Sequence, residues 1–332
     1  MDNFFKILNI NLKFAVLSSV LLLLTCRDRS DASAKAKETS APVSIGAAME
    51  LVSFKQLAAP LLEVSGLSWL DHVGGSVIAV GDFEYRALVF SGKPSAAVEF
   101  KSIDLNWLKP LAGNPSSQFE GVAVDHSRLV FLLQESPGTI FVVNIATQKL
   151  VKRIDLQVPE SMDIAHAWKD DPNSRGEGII LLKNGHILIL KEKKPSVIME
   201  FGPNGAQAGG YQPGMGVGLD DVFTLPAENK VSFSALKYWT IEGLLERQIA
   251  DLSDLAVGPD GNIRAVSDQG GAIVSFEANL SPNSQKTSVE KVFRLPVEMK
   301  KPEGLIFDDH GRSIVALDLD EIINNVYFLK SK

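Results

Sequence analysis

Cysteine is almost absent: Cys26 is the only one in 332 residues, so no intrachain disulfide forms and no cysteine-rich zinc site exists. Histidine is nearly as scarce. The five (His72, His126, His166, His186, His310) are far apart, no H-E-x-x-H occurs, and four of them fall in expected turns. G-x-S-x-G and the Walker loop are missing too, and Gly214-Met215-Gly216-Val217-Gly218 opens no βαβ unit, which leaves it as a surface loop or a lid. Positive charge is in deficit, with 33 Lys and Arg against 40 Asp and Glu and a net charge of −7. A phosphate-binding surface needs clustered bases to release counterions, so nucleic acid is not an expected partner. Long apolar runs are also lacking; the longest, residues 14–24, has 11 residues where about 20 are needed to span a bilayer.

What is present begins with an address. Lys6 and Lys13 lead into residues 14–24, then come Thr25, Cys26 and a polar stretch, the pattern of a bacterial export signal. A cysteine directly after the apolar region resembles the lipobox of lipoproteins, which predicts lipidation at Cys26 and a membrane-anchored protein in the bacterial cell envelope. Ala32-Ser33-Ala34 offers ordinary cleavage instead, giving a secreted soluble form cut near Ala34. The expected organisation is a signal peptide over 1–25, a flexible tether over 26–47 and one folded domain over 48–332.

That domain repeats one pattern five times. A small or acidic residue enters a β-like apolar run, as in Ser65-Gly66-Leu67, Glu120-Gly121-Val122, Glu177-Gly178-Ile179, Asp254-Leu255-Ala256 and Glu303-Gly304-Leu305. A turn of Asp, Asn, Gly or His follows, then a second run, which predicts a hairpin each time. The second runs (77–80, 129–133, 187–190, 263–266, 314–317) are apolar on both faces, as in strands covered on both sides. Third and fourth strands complete sheets at intervals of 55, 57, 77 and 49 residues, which predicts an all-β fold, a β-propeller of five four-stranded repeats. The last repeat ends after three strands, so residues 49–54 are expected to close the ring. Six blades result if 203–250, where residues 222–225 and 230–235 look like a further hairpin, forms one of its own.

The start of each first strand and the end of each second share one mouth of such a ring. Those positions are Ser65 and Asp82, Glu120 and Glu135, Glu177 and Glu192, Asp254 and Asp268, Glu303 and Asp318, spaced 17, 15, 15, 14 and 15 residues apart. Glu120, Glu177, Asp254 and Glu303 are expected near the axis as metal ligands. Asp82, Glu135, Glu192, Asp268 and Asp318, with Lys191 and Lys193, form the expected ligand-binding rim. Two unit charges 4 Å apart at an effective dielectric of 20 repel by about 4 kcal/mol, so such a mouth calls for a cation. All-oxygen donors suit Ca²⁺ before Mg²⁺. The alternative role for these acids is to accept backbone N–H bonds at blade corners.

The stretch 189–195 after Gly176-Glu177-Gly178, Leu252-Ser253-Asp254-Leu255 ahead of Val266-Ser267-Asp268, and Lys301-Pro302-Glu303-Gly304-Leu305 together resemble the SdiA-regulated (YjiK-like) family of exported bacterial propellers. The succession over residues 60–330 carries the likeness. It implies an extracytoplasmic, calcium-binding propeller, distantly similar to phytase-like and gluconolactonase-like propellers, with no reaction of its own established. Two functions follow as expectations. One is a cell-envelope module that binds Ca²⁺ and an unknown small ligand or envelope protein. The other is a Ca²⁺-dependent hydrolase of phosphate esters or lactones, in which the cation polarises the substrate and a glutamate activates water.

Overall fold

In this computed structural model, which describes residues 48–94 and 97–332, the chain enters on strand β1 (Met49–Leu57) and then runs through five successive meanders. The segments expected as signal peptide and tether, with Cys26, lie outside the described residues. Blade one is β2 (Val64–Trp69), β3 (Ser76–Gly81), β4 (Arg86–Ser91) and β5 (Lys101–Asp104). Blade two is β6 (Phe119–Val124), β7 (Val130–Gln134), β8 (Thr139–Asn144) and β9 (Lys149–Gln157). Blade three is β10 (Ile179–Leu181), β11 (Ile187–Lys191), β12 (Val197–Pro203) and β13 (Lys230–Glu242). Blade four is β14 (Asp254–Val257), β15 (Ile263–Ser267), β16 (Ala272–Phe276) and β17 (Lys286–Arg294). Blade five is β18 (Pro302–Phe307), β19 (Ser313–Leu317) and β20 (Val326–Ser331), completed by β1, which runs antiparallel to β20 from Leu51 opposite Ser331 to Leu57 opposite Val326. The fold is therefore a five-bladed β-propeller closed by its N-terminal strand.

Residues 203–250 do not make a sixth blade. Residues 222–225 form no strand, and the segment from Lys230 belongs to β13, the outermost strand of blade three. This strand has 13 residues, long enough to be shared: Lys230–Ser234 pairs in parallel with β9, and Thr240–Glu242 with β17. Its buried Phe233, Ala235 and Trp239 fasten it to blade three, so the apolar pattern that looked like a separate hairpin is one continuous edge.

One local device recurs in all five hairpin turns. A side-chain oxygen caps the turn by accepting backbone N–H bonds: Asp71 from His72 and Ser76, Asp125 from Leu129, Asn184 from His186, Asp260 from Asn262, Asp308 from His310 and Arg312. Asx-type caps of this kind fix a tight reversal without a long loop. The second strands they feed are buried throughout because each sheet is covered by a neighbour on both faces, and the ring of Phe223, from the connection between β12 and β13, packs edge-on against Phe131 of blade two, 5.3 Å between centroids.

Ring closure has its own clasp. Asn325 is fully buried; its Oδ1 accepts the Ala59 N–H (2.8 Å) and its Nδ2 donates to the Ala59 and Leu61 carbonyls (3.1 and 3.0 Å). Asn325→Ala leaves the buried Ala59 N–H and Leu61 carbonyl unpaired, while the Ala59 carbonyl keeps the Leu61 N–H, so the melting temperature is expected to fall by roughly 5 °C or more. Amide exchange in β1 is expected to quicken more than elsewhere; an unchanged melting curve contradicts the clasp.

Candidate functional site

At the acidic mouth, the start of each innermost strand is interrupted by a bulge. In blade one, Val64 pairs with Gly81 and Gly66 with Val80, which leaves Ser65 extra; in blade two the same slip leaves Glu120 extra, and in blade five it takes in Glu303. In blade three, Glu177 N–H and the Gly178 carbonyl both bond Leu190, and in blade four the Ser253 N–H bonds Val266, the partner of Asp254. A bulge turns one side chain out of the normal strand alternation, and here it re-aims the first residue of the repeat. Two residues upstream, Glu63, Gln118 and Lys301 adopt left-handed φ values of 49–50°, and their carbonyls accept the N–H groups of Asp82, Glu135 and Asp318. Inner and outer acids of a blade are thus tied to one backbone corner.

In blade four the residue at the bulge position is Ser253, not Asp254. Asp254 stands where the other blades have Gly66, Gly121, Gly178 and Gly304. Those glycines abut the neighbouring blade: a Cβ on Gly66 would lie 3.0 Å from the Glu120 carbonyl and one on Gly121 3.1 Å from that of Glu177. Asp254 instead reaches across the seam, its Oδ2 accepting the Leu305 N–H of blade five (2.8 Å) while Oδ1 accepts the Leu255 N–H (2.7 Å). It serves as a strut between blades and does not share the register of the three glutamates.

Glu120 and Glu177 are both 7% exposed, and Glu303 is half-buried. Burial pushes all three carboxyls well above the ordinary range, and their charges reinforce this: Glu303 acts on both Glu120 and Glu177, and Glu120 on Glu177. Only the Ser65 hydroxyl, reaching Glu120 from blade one, pulls the other way there. The outer row is drawn into the same field. Burial first, then a hydrogen bond and charge repulsion from Glu63, raise Asp82 from 3.8 to about 8. Burial raises Glu135 from 4.5 to about 7, against a hydrogen bond to Glu177. Glu192 and Asp268 are also raised, chiefly by burial, whereas Asp318 is paired with Lys301 at 2.8 Å. Asp254 is raised by burial against its two backbone donors.

Lys191 is fully buried, its ammonium donating to Ser174 Oγ (2.8 Å) and the Lys193 carbonyl (2.6 Å), and burial lowers its pKa. Lys193 holds both oxygens of Glu192, at 2.7 and 2.6 Å. These two bases balance charge beneath the mouth without opening onto it as a pair. His72, His126, His186 and His310 sit in the turns at the opposite end, and His166 on the short helix Ala165–Asp170.

The sequence matches no protein-family model and no curated protein. Among solved structures, the chain is similar to a glutaminyl cyclase from Myxococcus xanthus (10% identity over 86% of this chain and 97% of that one, TM-score 0.47). It is similar to a PQQ-bound aldose sugar dehydrogenase from Streptomyces coelicolor (12% identity, 85% and 98% covered, TM-score 0.47). A streptogramin B lyase is a third (13% identity, 85% and 97% covered, TM-score 0.43). No residue role follows from these likenesses.

Two acids of the mouth escape the repeat pattern. Glu63, which shares a hydrogen bond with Asp82, and Asp251, whose carboxylate accepts from Ser267 Oγ (2.9 Å) and the Gln269 N–H (3.1 Å), each lie two residues before a serine at the bulge. Where the bulge residue is a glutamate, the position two residues upstream is Gln118, Arg175 or Lys301. Every blade therefore brings a carboxyl to the mouth, either from the bulge or from two residues upstream of it.

Proposed function

We propose that this chain is a lipid-anchored binding module of the bacterial cell envelope, of the SdiA-regulated (YjiK-like) kind, whose acidic mouth exchanges protons for Ca²⁺ and docks a small ligand or an envelope protein. The observation that carries the reading is the convergence of Glu120, Glu177 and Glu303, from three blades, in a buried site where Glu303 raises the pKa of Glu120 and of Glu177, and Glu120 raises that of Glu177. Such a site holds either protons or a cation, and an all-oxygen donor set favours a hard one. Among the described residues no three acidic, histidine or cysteine side chains stand together as a metal cage, so this reading requires the carboxyls to close up around the cation.

Charge and exposed apolar surface support docking at the same face. The connections between blades and those between second and third strands, all on this face, carry seventeen Asp and Glu against eight Lys and Arg; the rest of residues 48–332 carries nineteen of each. The whole net charge of the propeller therefore sits around one mouth, where it steers cationic partners. The exposed Phe83, Leu111, Leu245, Val297, Ile322 and Ile323 lie on those same connections.

The second reading is a Ca²⁺-dependent ester or lactone hydrolase. It draws on the Glu135–Glu177 pair, one carboxyl of which titrates near neutrality as a general base must, and on the buried ammonium of Lys191 beside it.

One experiment addresses both readings. Elemental mass spectrometry of the purified protein is expected to find about one calcium per chain, and EDTA to lower the melting temperature by roughly 5 °C, with recovery on calcium add-back. The E120Q/E177Q/E303Q variant is expected to lose both effects. Metal-free protein with an unmoved melting curve overturns the calcium site. Turnover of aryl phosphates or lactones by the calcium form, lost in that variant, makes the chain an enzyme.

A further inference from the structure

Below the glutamates the central channel widens into a cavity of about 230 Å³ that opens at the opposite mouth. The inner strands of all five blades line it, with Trp69, Val73, Ala123, Ile180, Val257 and Phe307 among the walls. None of the lining residues is charged, in contrast to the mouth above. Each inner strand pairs with one strand only, so main-chain N–H and C=O groups of its other edge face the axis, apart from those already engaged, such as the Leu181 carbonyl by Val217 and the Leu305 N–H by Asp254. The indole N–H of Trp69 is engaged by the Phe307 carbonyl at 2.8 Å, which fixes the ring as part of the wall.

The cavity also has a wall that the repeat does not supply. The chain between β12 and β13 crosses this face, and residues 217–219 complete the lining. The crossing is pinned along its length. The buried Glu200 carboxylate accepts the Gly209 and Gly210 N–H groups (both 2.9 Å) and contacts His186 Nδ1 at 2.6 Å. The Tyr211 hydroxyl donates to the Gly261 carbonyl of blade four (2.6 Å). Val217 N–H bonds the Leu181 carbonyl of blade three (2.8 Å), and Leu219 and Phe223 bond His126 and Asp125 of blade two. An excursion fastened to three blades in this way is a built wall.

We propose that this cavity is a second binding site, for a neutral, largely apolar molecule about one ring in size with a single hydrogen-bonding group. An apolar cavity of about 150 Å³ accommodates benzene, and a volume near 230 Å³ leaves room for one polar substituent. The uncharged lining selects against ions, because an unpaired charge there stays desolvated. The free strand edges pair the one polar group, and a ligand that displaces loosely held water gains affinity. The site is independent of the acidic mouth: the narrow ring at Gly66, Gly121 and Gly178, where neighbouring backbones touch, lies between them.

The test uses the purified protein and 4-fluorobenzyl alcohol, followed by its ¹⁹F line width. Saturable binding with a Kd of about 1 mM or tighter is expected. Val257→Trp, at the exposed rim, and Ala123→Phe, in the wall, are each expected to weaken binding at least about tenfold, while Glu120→Gln leaves it within about twofold. Should Ala123→Phe misfold, Val257→Trp decides alone, because Val257 is 37% exposed and tolerates a larger side chain. Absence of saturation with this probe, 4-fluoroanisole and fluorocyclohexane up to about 10 mM overturns the proposal, as does wild-type affinity in a folded Val257→Trp protein. Lost binding in Glu120→Gln also overturns it, by moving the probe to the acidic mouth.

Discussion

The calcium-free protein is expected to melt roughly 5 to 10 °C lower at pH 8.5 than at pH 5.5. The sign follows from where the carboxyls release their protons. Unfolded, Asp82 and Glu135 ionise near 3.8 and 4.5; folded, they hold protons to about 8 and about 7. Between those limits the folded chain binds more protons than the unfolded one, so stability falls as pH rises through the window. Glu120, Glu177, Glu303 and Asp254 shift in the same direction. Asp71, Asp155 and Asp260 shift downwards, but they are ionised in both states above pH 5 and leave the slope unchanged. Asp82 is partly open to water, which screens part of the effect and keeps the expected change to a few degrees per group. Calcium at pH 8.5 is expected to restore the loss and at pH 5.5 to change little, since there it competes with bound protons. Melting curves in EDTA across this range decide the matter, and a curve that is flat or rises with pH removes the buried acids from the account.

Much of the fold is legible in the sequence because each blade obeys local rules. The Asp or Asn turn caps, the second strands apolar on both faces and the missing fourth strand of the last repeat all have local signatures, and together they give five blades closed by residues near 49–54. The crossing between β12 and β13 has no such signature. Its course depends on contacts far away in sequence, Tyr211 with Gly261 and Phe223 with Asp125, and glycine-rich chain without periodicity does not announce them. The same gap made β13 look like part of a separate hairpin, because its role as an edge shared by blades two, three and four is a property of neighbours.

The positions of the acidic row at the mouth were legible from the repeat, with blade four offset by one residue. An inner-to-outer spacing of 15 holds for Glu120–Glu135, Glu177–Glu192 and Glu303–Asp318, while Ser65–Asp82 gives 17 and Asp254–Asp268 gives 14. Counting from Ser253 restores 15, and the bulge in blade four agrees. Chemistry hid this, because an acidic residue next to a serine attracts the assignment in an otherwise acidic ring. Glu63 and Asp251 were missed for the same reason: they reach the mouth from a position that holds Gln118, Arg175 or Lys301 in the other blades. The Asp254 strut could not be foreseen from spacing, since its partner Leu305 is 51 residues away, in the next blade.

That strut makes the seam between blades three and four the least forgiving place in the ring. Gly178→Ala is expected to cost about 3 kcal/mol or more, lowering the melting temperature by roughly 6 °C or more, against about 1 kcal/mol for Gly121→Ala. A Cβ on Gly178 would lie 2.3 Å from the Leu255 nitrogen and 2.9 Å from the Asp254 carbonyl carbon, and neither atom belongs to a flexible side chain. On Gly121 the closest approaches are 3.1 Å, one of them to the movable Ile179 side chain. Blade four cannot simply retreat, because Asp254 binds its strand to Leu305 on the far side and to Leu255 locally. Removing that side chain in Asp254→Gly frees the strand, so the double variant with Gly178→Ala is expected to lose less stability than the two single losses added together. Denaturant unfolding of the four proteins measures this coupling. Strict additivity would mean that the methyl is absorbed elsewhere and that Asp254 does not hold the seam closed.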